Sequence, residues 1–221
     1  IDFKMKIHRD ASISYEGQNR KINQLTLPLR GAHQLSNAAL ALAAVEILEK
    51  KGYRIGDSAI QKGLAQTRWE ARLEILRLKP LFLLDGAHNP AGIVSLCRAL
   101  AKDLSGRRLI LIFSALADKD YRRMLRKIAP LAHKTFLPPL ATKRAVAPQA
   151  LAAFLRRMDY PVEISESVTA SVQQALQCAG ENDLICACGS LYLAGEVKQA
   201  FHQMCSCGKE RGAFKSVKHK T

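Results

Sequence analysis

Asp85, His88 and Asn89 fall together in the run Leu83-Leu84-Asp85-Gly86-Ala87-His88-Asn89-Pro90-Ala91-Gly92. A carboxylate, an imidazole and an amide at one turn can accept, donate and relay protons to a bound molecule. The apolar run Leu81 to Leu84 stops abruptly at the acid. Pro90 then suits the first turn of a helix, where its missing N–H costs nothing. The three polar groups therefore belong at the carboxyl end of a strand and the amino end of a helix, the edge at which open α/β sheets bind ligands. Asp85 or Asn89 would also serve as an ordinary helix cap. A cap has no use for the imidazole three residues after the acid.

Further segments accompany this run in order along the chain. They are Gly31-Ala32-His33-Gln34-Leu35-Ser36-Asn37-Ala38, Trp69-Glu70-Ala71-Arg72-Leu73-Glu74, Asp118-Lys119-Asp120 and Gly189-Ser190-Leu191-Tyr192. With Asp-Gly-Ala-His-Asn-Pro they make five matches between residues 31 and 192, and together the chain resembles the folylpolyglutamate synthase/dihydrofolate synthase family of the Mur ligases. Ala71 stands where that family usually has Gly. The resemblance implies an ATP-dependent ligase that activates a carboxylate as an acyl phosphate for attack by an amine. L-glutamate would be added to a folate or to dihydropteroate.

By the same resemblance Arg72 and His88 are the catalytic candidates. Asn37 would approach the adenine end of ATP, and Arg72 would reach the phosphates as two domains close. A guanidinium suits that task because it stays charged and offers a planar fork of donors. Asp85 would accept from the ribose hydroxyls, and His88 would sit beside the nucleotide or the acceptor carboxylate. Lys119 and Ser190 are candidate substrate contacts. Plainer readings stand beside these: a linker ion pair from Arg72 to Glu70 or Glu74, an imidazole that only bonds its turn, a solvated loop charge at Lys119 and a helix cap at Ser190.

The phosphate cradle of such an enzyme is a Gly-x-x-x-x-Gly-Lys-Ser/Thr loop. The sequence has one Gly-Lys pair, Gly208-Lys209, followed by Glu210 and lacking the leading glycine. The resemblance puts that loop, and most ligands of Mg2+, in an upstream ATPase domain. With Ile1 in place of an initiator Met, the chain reads as a fragment without that region, inactive alone. Two other readings are a Mur ligase of peptidoglycan precursor synthesis and a non-catalytic Rossmann-like module that binds polyanions.

The elements that must position these residues change rhythm near residue 67. Up to residue 66 the pattern gives short strands at 4–8, 12–15 and 24–28, a helix over 36–50 stopped by Gly52, and a second helix capped by Asp57 and running to residue 66. This region is too strand-poor to make a convincing domain, and its helix over 37–50 has no sheet of its own to cover. It reads as the carboxyl-terminal remnant of the ATPase domain, followed by a linker over 67–72. From 73 to 205, strands at 73–78, 81–84, 109–114, 135–137, 162–165 and 184–188 alternate with helices at 91–103, 121–129, 148–158, 169–179 and 191–205. That alternation predicts an α/β fold, a Rossmann-like mostly parallel sheet with helices on both faces. Residues 206–221 read as a basic, disordered tail.

Composition is that of an ordinary soluble protein: 221 residues, 48% apolar and 24% charged. No apolar run reaches the roughly 18 residues of a membrane span, and no signal peptide opens the chain. Lysine and arginine number 34 against 19 acids, a net charge of +15. The bases are spread along helical faces such as residues 121–127, so nucleic acid is not an expected partner. Six cysteines include the pairs Cys186/Cys188 and Cys205/Cys207. Their one-residue spacing is short for structural zinc. Buried free thiols in a reducing, cytoplasmic setting fit better. A monomer is expected.

Overall fold

Leu109–Phe113 and Leu184–Cys188 are buried at every residue. Strands covered on both faces are the signature of a parallel sheet between helical layers, and these two lie at the centre of one. The computed structural model describes residues 3–8, 12–104 and 106–206. It divides into two compact units, one through Glu70 and one from Ala71.

In the first unit β1 (Lys4–Ile7), β2 (Ile13–Glu16) and β3 (Lys21–Leu25) form an antiparallel sheet in sequence order. Helices α1 (Ala32–Lys50) and α2 (Asp57–Gln66) follow. Ile13, Tyr15, Ile22 and Leu25 from the sheet bury against Leu42 of α1 and Ile60 of α2. The expectation that α1 lacks a sheet is therefore corrected. Each strand is only four or five residues long, and the third lies at Lys21–Leu25, earlier than the pattern at 24–28 implies. Gln24 has a φ of 56°, and the register shifts between Ile13 and Tyr15, so β3 bends where its pattern seemed to begin. The cap of α2 is Gly56; Asp57 is its first helical residue and makes no side-chain cap bond. Helix α1 begins at Ala32, after Gly31 at φ 103°, and so takes in His33 and Gln34.

In the second unit the sheet order is β4-β5-β9-β6-β7-β8, from Glu74–Leu78, Leu81–Leu84, Leu184–Cys188, Leu109–Phe113, Ala132–Leu137 and Val162–Ile164. All neighbours are parallel except β4 with β5. Helices α3 (Pro90–Asp103), α4 (Tyr121–Ile128) and α5 (Pro148–Arg156) cover one face. Helices α6 (Val168–Cys178) and α7 (Leu191–Ser206) cover the other. The period of two along β6 sorts the layers: Leu109, Leu111 and Phe113 meet the first set, Ile110 and Ile112 the second. Cys186 and Cys188 share the first face as buried free thiols. The order of strand addition reverses at β9, which returns parallel between β5 and β6, and such a switch in order opens a crevice at the carboxyl ends of the strands. Cys207 and the basic stretch after it lie outside the described residues. No helix among the described residues is long and apolar enough to cross a membrane.

Candidate functional site

Asp85 directly follows β5 and is 6% exposed. One carboxylate oxygen accepts from the Ala87 amide at 2.9 Å and the other from the Leu73 amide at 2.9 Å. The acid thus fastens the start of β4 to the β5–α3 turn. Burial makes those bonds matter, since an orphaned amide there costs about 1–3 kcal/mol. The next amide, of Gly86, donates to the Ala71 carbonyl at 2.7 Å. His88 Nδ1 lies 2.8 Å from the Gly86 carbonyl. A carbonyl only accepts, so Nδ1 is the donor of this bond, and Nε2 is the ring nitrogen left for another partner on a half-buried ring. Asn89 caps α3, its side-chain oxygen accepting from Gly92 at 2.8 Å. Of the two possible caps, Asn89 takes the role at the helix itself and Asp85 holds the turn.

Arg72 stands between two residues in the left-handed region, Ala71 at φ 52° and Leu73 at φ 48°. Each costs roughly 1–2 kcal/mol for a residue with a Cβ, and such strain persists where surrounding bonds over-determine it. Here the Ala71 amide donates to Glu74 Oε2 at 2.8 Å, its carbonyl takes the Gly86 amide, and the Leu73 amide is held by Asp85. Lys198 of α7 reaches the other oxygen of Glu74 at 3.0 Å. Glu74 is therefore engaged away from Arg72, and the linker ion pair with it is not made. The guanidinium lies over Gly86, where an added Cβ would fall 2.8 Å from Nη1 and 2.6 Å from Leu191. Arg72 and His88 thus both meet Gly86, the first at its missing Cβ position and the second at its carbonyl, and Nη1 donates weakly to the Ala71 carbonyl at 3.2 Å.

Gly189 joins the neighbouring β9–α7 turn to this one through its amide, 2.8 Å from the Ala87 carbonyl. Its φ of 106° and close approach to Ser114 and Phe113 exclude a Cβ. Ser190, 1% exposed, accepts from the Tyr192 amide at 3.1 Å, the act of a helix cap. Lys119 follows β6 on the same sheet edge and pairs with Asp118 at 2.8 Å, which holds that carboxyl below its usual range. Asn37 lies in the other unit, on α1, donating to Gln34 Oε1 at 3.0 Å; Gln34 in turn lies 3.1 Å from His33 Nε2.

Sequence reasoning offered Glu74 only as an ion-pair partner of Arg72 and assigned no role to Lys198 or Gly189, and these three do much of the positioning. Only the Glu74 and Gly189 motif positions signalled them; a partner on α7, more than a hundred residues away, leaves no local trace. For magnesium, the donor set does not fit: among the described residues no three His, Cys, Asp or Glu side chains converge as ligands.

Fold and site define a doubly wound α/β domain whose polar groups gather at the switch-point edge of its sheet. The chain belongs to the Mur ligase family: residues 71–191 match its glutamate ligase domain. It is 34% identical over 202 residues to a folylpolyglutamate synthase of Lacticaseibacillus casei, covering 89% of this chain and 45% of that protein. It is 29% identical to a dihydrofolate synthase/folylpolyglutamate synthase of Bacillus subtilis, covering 84% and 43%. Folylpolyglutamate synthase of Mycobacterium tuberculosis, solved with ADP and AMPPCP, superposes with a TM-score of 0.79 at 29% identity, over 90% of this chain and 48% of that one. The chain spans about half the length of these relatives.

Proposed function

We propose that the chain is the carboxyl-terminal part of an ATP-dependent ligase that joins L-glutamate to a folate, to dihydropteroate, or to both, through an acyl phosphate. The observation that carries this reading is Arg72, a cation aimed by a strained, four-bond clamp onto the bare face of Gly86 in the Asp-Gly-Ala-His-Asn-Pro turn. In the complete ligase the guanidinium neutralises charge on the transferred phosphoryl group. His88, its tautomer set by the Gly86 carbonyl, presents Nε2 to the nucleotide or the acceptor carboxylate. Asp85 adds ribose binding to its backbone bonds, Asn37 approaches the adenine, and Lys119 and Ser190 contact substrate. A cytoplasmic monomer fits this role, and Mg2+ would be held by residues upstream of this chain.

Two experiments test the reading. Without a phosphate loop, the chain mixed with ATP, glutamate and dihydropteroate releases ADP at background; turnover near the roughly 1 per second of ordinary enzymes sinks that claim. Joined to the upstream ATPase region, Arg72→Ala lowers kcat by about a hundred- to a thousandfold, the worth of a preorganised donor on developing charge. A surface ion pair is worth only about 0–1 kcal/mol. Arg72→Lys restores part of the loss, keeping the charge without the fork. Near-normal kcat for Arg72→Ala at saturating ATP makes the arginine structural. A polyanion-binding module would instead show ligand affinity that falls steeply with salt and is indifferent to glutamate and ATP.

A further inference from the structure

Helix α4 starts at the same sheet edge as this site, one residue after Asp120, and its sequence YRRMLRKI contains no acid. Met124, Leu125 and Ile128 are fully buried on the sheet side. Arg122, Arg123, Arg126 and Lys127 are exposed on the other. Among the described residues none of these four side chains pairs with a carboxylate. The nearby acids are occupied. Asp118 binds Lys119 and Arg144, and Asp120 accepts from the Arg123 amide as the helix cap.

Two of the cations are held ready by aromatic rings. Arg122 lies 4.9 Å from the Tyr121 centroid and Arg126 lies 5.5 Å from that of Phe154. A guanidinium that stacks by its face keeps its N–H donors, which lie in its plane, for an anion. The rows Arg122/Arg126 and Arg123/Lys127 each repeat at four residues, a rise of about 6 Å. One γ-linked glutamyl residue has five main-chain bonds where an α-linked one has three, so its extended reach is also roughly 6 Å.

We propose that the outer face of α4 binds the γ-linked oligoglutamate chain of substrates that already carry several glutamates, each α-carboxylate meeting a cation on successive turns. This rests on the reading of the chain as part of a folate-glutamate ligase, which supplies an acidic chain whose growing end is held at this edge. A nucleic acid is the weaker fit. Single-stranded RNA is gripped by bare aromatic faces on which bases stack. Here Tyr121 is half-buried, Phe154 is 6% exposed, and each ring has an arginine against it.

The test uses the 221-residue chain itself, with fluorescein-labelled γ-linked pentaglutamate followed by anisotropy at fixed low salt. Arg122→Gln/Arg126→Gln should weaken binding at least tenfold, and Arg123→Gln/Lys127→Gln should weaken it similarly. Lys51→Gln/Arg54→Gln, which removes two exposed charges from the other unit, should change it less than twofold. γ-Linked diglutamate should bind at least tenfold more weakly than the pentamer. All these side chains are exposed, so far-UV circular dichroism should be unchanged. Equal losses in all three double variants would reduce the effect to net charge and overturn the proposal. Oligouridylate binding α4 as tightly as the pentaglutamate, with the same sensitivity to Arg122 and Arg126, would overturn it in favour of RNA. Pentaglutamate binding lost in the α4 variants, together with no glutamate-dependent ADP release from the chain joined to the upstream ATPase region, would leave this surface standing and remove the ligase reading. The reverse pattern would do the opposite.

Discussion

A single methyl group should act with opposite sign at two glycines of the second unit. Gly189 has a φ of 106°, and a Cβ there would sit 2.3 Å from the Ser114 carbonyl oxygen and 2.6 and 2.9 Å from the ring of Phe113. The carbonyl is backbone, and the ring is fully buried on central strand β6, so neither can swing away. Positive φ costs an L-residue about 1–2 kcal/mol, and overpacking a tight core costs about 1–3. Gly189→Ala should therefore destabilise the unit by about 2–5 kcal/mol, a large part of the roughly 5–15 kcal/mol that holds a domain. Gly195 lies exposed in the interior of α7, with nothing within 4 Å of an added Cβ. Gly195→Ala should stabilise by about 0.5–1 kcal/mol, because alanine loses less backbone entropy in a helix. Urea unfolding of the chain by far-UV circular dichroism measures both. With a slope of about 1–3 kcal/mol per molar urea, the midpoint falls by about 0.7 M or more for Gly189→Ala and rises for Gly195→Ala. A Gly189→Ala midpoint within about 0.3 M of the parent would refute the steric argument. So would a Gly195→Ala variant that loses stability. The first variant should also loosen the bond from residue 189 to the Ala87 carbonyl, and with it the turn that carries His88.

Ala71→Gly removes left-handed strain, a buried methyl and some unfolded-state rigidity together, so stability should change by less than about 1 kcal/mol. Ala71→Val, β-branched at φ 52°, should cost about 2 kcal/mol or more; equal thermal midpoints for the two would remove the clamp from the account of Arg72. Asp183 accepts from Arg108 and from the Gly180 amide, and the Arg108 bond foremost holds its carboxyl below the usual range. Its contribution is present above the unfolded value near pH 4 and is lost as pH falls through the depressed folded value. Asp183→Asn should be less stable at neutral pH and lose less between pH 5 and pH 3 than the parent. Parallel acid profiles would exclude that assignment. Tyr15 is pushed up to about 12 by burial, with the Glu46 carboxylate adding to it. The unfolded phenol ionises near pH 10, so the first unit should lose roughly 3 kcal/mol between pH 10 and 12. Tyr15→Phe should flatten that alkaline limb; an unchanged limb would place the ionisation elsewhere.

The second unit was legible because its signals are local and strong. Continuous apolar strands, amphipathic helices and the proline at the start of α3 each fix an element within ten residues, and their alternation leaves a mostly parallel sheet as the way to bury both faces. The first unit was less legible because a short strand with a bulge at Gln24 breaks the period-two pattern that reveals strands, so α1 looked bare when it had a sheet to cover. Of the site, the sequence by itself determined which groups stand at the turn and that an acid, an imidazole and an amide share it. Tertiary structure decided what each one does. Asn89 caps α3 because it is the residue beside the helix amides, whereas Asp85 faces the Leu73 amide that antiparallel β4 brings alongside. The aim of Arg72 depends on two left-handed residues, a glutamate held by α7, and a glycine whose missing side chain leaves room for the guanidinium and Leu191. Backbone angles of that sign, and partners more than a hundred residues apart, are consequences of packing, and no residue's own preference encodes them.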